Sequence, residues 1–158
     1  MPEQPPYVAV VGPSRCTPEQ AAAAEEVGAG IAAAGGVLVS GGGPGVMEAA
    51  CRGARSRRGV TLGLLPGLDR REANGWVTVA VPTGLGELRN GLVVRAADVV
   101  VAVGASAGTL SEMALAVGTG VPLVGLGSYE LEGVEPVGDA AAAVARALEL
   151  ARTRVASA

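Results

Sequence analysis

The chain of 158 residues contains no histidine, no lysine and no phenylalanine. Without histidine there is no imidazole general base, no histidine-containing triad and no imidazole metal ligand, and no metal site is expected. Without lysine, all 12 basic residues are arginine. That excludes a Schiff-base mechanism on the chain's own amine, including pyridoxal-phosphate decarboxylation, and the lysine of a P-loop. Aromatics are scarce, with only Tyr7, Trp76 and Tyr129, and the net charge is −3 with no basic run. A nucleic-acid polymer needs a positive track or stacking platforms, so no such partner is expected. The two cysteines, Cys16 and Cys51, are too few for a disulfide framework and read as small packed residues in a reducing compartment. Although 49% of the residues are hydrophobic, the Ala-rich runs are interrupted by Glu25, Glu26 or Arg146, so no membrane span is expected. No positively charged leader precedes an apolar stretch. Together these features predict a cytoplasmic protein.

What is abundant is glycine, with 25 residues, and valine and alanine in short runs. Residues 98–114 read D-V-V-V-A-V-G-A-S-A-G-T-L-S-E-M-A. The Val/Ala run suits a strand buried on both faces of a parallel sheet. It breaks at small residues from Gly104 to Gly108, and a helix follows with Thr109 as its expected N-cap. A strand, a loop of small residues and a helix N-terminus make an anion pocket, because the first N–H groups of the helix and its dipole face the ligand.

The same alternation runs through the chain. Strands are predicted over residues 7–12, 37–40, 60–65, 76–81, 98–103 and 121–126. Helices are predicted from Thr17, with Pro18 at N1 and Gln20 completing a capping box, to Ala34; over 46–58; over 86–97; from Thr109 to Val117; and over 139–155. Residues 128–137 read only as turn-rich. This pattern predicts one α/β domain over residues 7–158, a doubly wound, Rossmann-like parallel sheet with helices on both faces, preceded by a flexible arm over residues 1–6. Ligands of such sheets bind beyond the carboxyl ends of the strands, where the loops 12–16, 41–45 and 104–108 are expected to converge.

The loop Gly41-Gly42-Gly43-Pro44-Gly45 carries more glycine than one strand-to-helix turn needs, so it is a candidate for backbone contact with phosphate. It lacks the G-x-G-x-x-G register and the acid of a dinucleotide fingerprint. Glu112 reads in two ways: as N3 of a capping box Thr109-x-x-Glu112, or as a carboxylate in the phosphate pocket. Arg89 is either a solvated helix charge or a bidentate grip on phosphate. Ser14, Met47, Asn90, Ser106 and Gly108 complete the candidate ligand-contacting set, although Met47 is most simply a core residue. Asp98 reads as a strand-edge cap.

The segments Gly41-Gly-Gly-Pro-Gly-Val-Met47, Arg89 and Gly108-Thr-Leu-Ser-Glu112 resemble, in order, motifs of the LOG superfamily, long labelled "lysine decarboxylase-like". The family's better-known members carry G-G-G, an Arg, and P-G-G-x-G-T-x-x-E, and the separation of Arg and Glu is the same here, 112 − 89 = 23. The resemblance covers residues 8–126. It implies hydrolysis of the N-glycosidic bond of nucleoside 5′-monophosphates, with Arg89 and Glu112 as the catalytic pair, Gly108 and Thr109 on the phosphate, and no cofactor required for catalysis. Two positions depart from the pattern. The family's P-G-G is Gly104-Ala105-Ser106 here, and its Arg-Lys is Arg89-Asn90. The segments L-G-L-L-P-G-L-D, A-N-G-W and P-T-G-L-G-E-L-R-N look closer to a short branch that includes molybdenum-cofactor carrier or binding proteins. That branch implies a second function, non-catalytic binding of the molybdenum cofactor, a pterin phosphate. Under either reading the expected partner is a small phosphorylated metabolite, and the resemblance implies a homodimer or homotetramer.

Overall fold

A computed structural model describes residues 4–157. Seven strands form one sheet: β1 (Tyr7–Val11), β2 (Val37–Ser40), β3 (Thr61–Leu65), β4 (Val79–Pro82), β5 (Val99–Val103), β6 (Leu123–Leu126) and β7 (Val134–Val137). Their spatial order is β4-β3-β2-β1-β5-β6-β7 and every neighbouring pair is parallel. The helices are α1 (Pro18–Ala33), α2 (Val46–Ser56), α3 (Asn90–Arg95), α4 (Ala107–Thr119) and α5 (Ala140–Ala156). This is the doubly wound α/β architecture that the alternation predicts. Among the described residues no helix is long and apolar enough to cross a membrane.

Period-two alternation divides each central strand between two cores. Val8 and Val10 of β1, with Val99, Val101 and Val103 of β5, pack under α1, α2 and α5. Ala9 and Val11, with Val100 and Ala102, face Val93 and Val94 of α3 and Met113 and Ala116 of α4. All five residues of β5 are buried, as a central strand covered on both faces requires. Asp98 accepts the Tyr7 N–H at 2.8 Å and so closes the edge between β1 and β5. The capping box of α1 forms as expected between Thr17 and Gln20.

The α1–α2 contact depends on two glycines. A Cβ at Gly53 would lie 1.9 Å from the Glu25 carbonyl oxygen, and one at Gly28 would lie 2.0 Å from that of Ala50. Backbone meets backbone there, so neither helix can yield by changing a rotamer. Gly53→Ala is expected to destabilise the protein by about 3 kcal/mol, the upper end of overpacking costs. Gly118, in α4 with open space around it, gives the opposite sign on substitution by Ala, a gain of about 0.5–1 kcal/mol. Denaturant midpoints of the two variants check both values.

Several expectations need correction. β7 lies inside the segment read as turn-rich: its sequence Val-Glu-Pro-Val disguises a strand, but an edge strand pairs on one side only and tolerates proline. The fourth strand begins at Val79 rather than Trp76, because residues 74–78 first turn back, with Trp76 N–H on Asn74 Oδ1 and Thr78 bonded to Thr61. The helix expected over 86–97 is a 3₁₀ turn, Gly86–Arg89, followed by the short α3. Of the arm expected over residues 1–6, residues 1–3 lie outside the described residues, and the Pro6 carbonyl accepts the Val37 N–H at 2.9 Å.

Candidate functional site

The chain winds outward from β1 through β2, β3 and β4, then returns to place β5 on the other side of β1. Where the winding reverses, the loops after β1 and β5 part and open a crevice at the carboxyl ends of the strands. A cavity of about 560 Å³ occupies this place. A second cavity, about 540 Å³, lies at the opposite, amino ends between residues 4–6 and α5, and among the described residues Arg152 is the one ionisable group that lines it. The first holds opposed charges and a helix N-terminus, so it is the candidate site.

Ser14, Met47, Arg89, Asn90, Ser106, Gly108, Thr109 and Glu112 all line this cavity. Gly41, Gly42, Gly43 and Gly45 are not among the residues that line it. Gly41 seats Arg89: a Cβ there would lie 2.7 Å from the guanidinium carbon. The carbonyls of Gly42 and Gly43 accept from the backbone and side-chain amides of Asn74, both at 2.9 Å. Gly45 precedes α2 with φ of 73°, tight against the Pro13 and Ser14 carbonyls. In this structure the glycine loop shapes the support for a cation, and its neighbour Met47 reaches the cavity.

The start of α4 differs from expectation. Its N-cap is Ser106, in extended conformation with φ −159°, and the Ser106 hydroxyl accepts the Thr109 N–H at 3.2 Å. Thr109 falls at N3, 1% exposed, with its hydroxyl 2.8 Å from that of Ser106. Thr109 therefore does not cap, and Glu112, three residues further on, is no capping-box partner. Both Ser and Thr can cap; the backbone conformation after Gly104 decides between them. Ala107 and Gly108, the first two helical residues, line the cavity, where the unpaired donors of a helix start are found.

Arg89 ends the 3₁₀ turn and enters the cavity half-buried. One amine donates to Asn90 Oδ1, while its Nε is buried with no partner among the described residues. Asn90 is 8% exposed, and its amide donates to Ser111 Oγ at 2.9 Å. Ser111 in turn donates to the Gly108 carbonyl at 3.0 Å. Asn90 thus ties the guanidinium to the first turns of α4.

Glu112 is 7% exposed, and burial pushes its carboxyl up to about 7 against the opposing pull of Arg89. Burial likewise lowers the Arg89 pKa, with the Glu112 charge working the other way. Arginine titrates so far above neutrality that it stays charged. At neutral pH the cavity therefore offers a fixed cation, a helix N-terminus, and a carboxyl between its two protonation states.

Gly12 and Ala107, within loops expected to converge here, also line the cavity, as do Glu87, Pro66 and Gly86, which were not singled out from sequence. Glu87 was hidden by the helix expected over 86–97, on which i and i+2 positions diverge; the observed 3₁₀ turn brings both Glu87 and Arg89 to the site. No group of three or more Cys, Asp or Glu among the described residues is placed to hold a metal ion.

The profile of the SLOG cluster4 family matches residues 5–153. An uncharacterised protein of Archaeoglobus fulgidus is 36% identical over 113 residues, 72% of this chain and 74% of that one. The molybdenum cofactor binding protein of Rippkaea orientalis has a similar structure, with a TM-score of 0.87 and 33% identity over 96% of this chain and 98% of that one. The Moco carrier protein of Chlamydomonas reinhardtii superposes with a TM-score of 0.87 and 33% identity over 95% of this chain and 99% of that one.

Proposed function

The chain belongs to the SLOG cluster4 family, and from that premise we propose that it binds a phosphorylated pterin-type ligand of the molybdenum-cofactor class as a binding or carrier protein. The observation that carries this reading is the Arg89 guanidinium, set in the wall of the cavity with a buried Nε that has no partner among the described residues. A buried donor left unpaired costs on the order of 1–3 kcal/mol, which an oxygen of a bound anion would recover. The fit extends further. The cavity volume lies within the range of about 300–1,000 Å³ usual for small-molecule sites. Arg89, the first residues of α4 and the hydroxyls of Ser14 and Ser106 would take the phosphate. Glu112, near its midpoint at neutrality, need not repel it. No metal bond is assigned to the chain's own groups. Two solved structures of similar fold, named as molybdenum cofactor binding or carrier proteins, support the ligand class. The further copies implied by the LOG resemblance would find Leu88, Leu92, Leu110 and Val117 exposed on and beside α3 and α4.

A second reading is favoured by one specific observation. A carboxyl at about 7, beside an arginine in a cavity of small-molecule size, is poised for proton transfer or for stabilising an oxocarbenium-like state. That is the equipment of a nucleoside 5′-monophosphate phosphoribohydrolase. One experiment tests both readings. Purified protein is assayed for molybdenum content and incubated with CMP, AMP, GMP and UMP, with free base measured by chromatography. The binding reading expects copurified molybdenum or calorimetric binding of the phosphorylated compounds without base release. Base release that Glu112→Gln abolishes would replace it with the hydrolase.

A further inference from the structure

Glu87 occupies the candidate cavity with Arg89 and Glu112 but has no place in the phosphate site. Among the described residues, the ion pairs join Arg52 to Glu25, Arg71 to Asp69, and Arg146 to both Glu135 and Glu149, so Glu87 has no cation. Its side chain is exposed, and it leaves the same 3₁₀ turn as Arg89. Arg89 is fixed at the α4 end through Asn90 and Ser111, so a ligand gripped there by its phosphate leaves its far end to the rest of the cavity. Glu87 lines that same cavity, and among the described residues its carboxylate pairs with no cation.

We propose that Glu87 reads the ring of the bound metabolite, selecting a heterocycle that presents adjacent ring N–H and exocyclic amine donors, the 2-amino-4-oxopyrimidine edge of guanine and pterins. A carboxylate has acceptors only, on two oxygens side by side, and it pairs bidentately with two parallel N–H groups. Hypoxanthine keeps the ring N–H and lacks the amine. Adenine has an unprotonated ring nitrogen at the same place, which faces a carboxylate lone pair to lone pair. The inference rests on the phosphate-site reading above and deepens it by naming the ring.

The test measures calorimetric affinities of the full chain and of Glu87→Gln for ribose 5-phosphate, GMP, IMP and AMP. The expected result is GMP binding about tenfold or more tighter than IMP or AMP, from the added charge-assisted hydrogen bond. In Glu87→Gln, whose amide supplies one acceptor and a misplaced donor, the GMP-to-AMP ratio should fall close to one, with ribose 5-phosphate as reference within each protein. Equal affinities in the unaltered protein, or a GMP preference that survives Glu87→Gln, would overturn the assignment to Glu87 and leave the phosphate site standing. Failure of all four compounds to bind would remove the phosphate-site reading, and this inference with it.

Discussion

Arg89→Ala should abolish binding of phosphorylated ligands, with a loss of about a hundredfold or more. Among the described residues lining the cavity, Arg89 is the only cation, against the carboxyl groups of Glu87 and Glu112. Removing it leaves the phosphate the start of α4 and the hydroxyls of Ser14 and Ser106, with no positive side chain to offset the two acids. A charge-assisted hydrogen bond contributes about 1.5–3 kcal/mol, and a guanidinium can supply two in parallel. Arg89→Lys keeps the charge without the planar fork and should recover only part of the affinity. A more discriminating variant leaves the arginine in place. Gly41→Ala sets a methyl where the guanidinium now lies, 2.7 Å from its central carbon. If the position of the charge matters, this change should weaken binding of ribose 5-phosphate nearly as much as the alanine at residue 89. If a cation anywhere near the cavity mouth suffices, Gly41→Ala should bind normally, and the role given to the glycine loop would be wrong. Calorimetry at fixed, low salt reads all three, since exposed charges are screened as salt rises.

The order of strands and helices was legible because the runs are short and sharply punctuated. Val and Ala fill the buried central strands, glycine breaks them, and Thr17-Pro18-x-Gln20 announces α1 with its full capping box. The gathering of Arg89, Glu112, Ser106 and Thr109 on one cavity follows from the switch-point rule applied to those runs. What stayed hidden was set by tertiary structure. β7 forms because β6 offers it an edge, and its own residues argue against it. Ser106 and Thr109 are chemically equivalent caps until the backbone at Gly104, with φ of 77°, chooses between them. The glycines at 41–43 signal a close approach, yet nothing local says that what approaches is an arginine side chain 48 residues away (89 − 41) and an asparagine at 74. Glu87 became visible only when the segment proved to be a 3₁₀ turn instead of the expected helix.

Glu112 should make both stability and anion binding depend on pH, in a direction fixed by the sign of its shift. Its folded pKa, about 7, lies above the ordinary value of 4.5. The fold therefore favours the protonated carboxyl: the stability this provides is fully present below pH 4.5 and is lost as pH rises through about 7. A shift of this size corresponds to something on the order of 3 kcal/mol. Glu112→Gln mimics the neutral form at all pH values. It should match the unaltered protein near pH 4 and exceed it in stability at pH 8, as read by denaturant unfolding across that range. Ligand binding should follow the same proton. Between pH 7.5 and 9 a phosphate monoester, with its second pKa near about 6, is already dianionic, and Arg89 remains charged. The ionising carboxylate then competes with the ligand for the guanidinium. Affinity for ribose 5-phosphate should decline with pH by as much as about tenfold per unit. In Glu112→Gln the affinity should be flat over that interval. A flat profile in the unaltered protein, or an equally steep one in the glutamine variant, would show that the carboxyl of Glu112 does not share the site with the anion. The Arg89 pocket would then have to be treated as separate from the acid beside it.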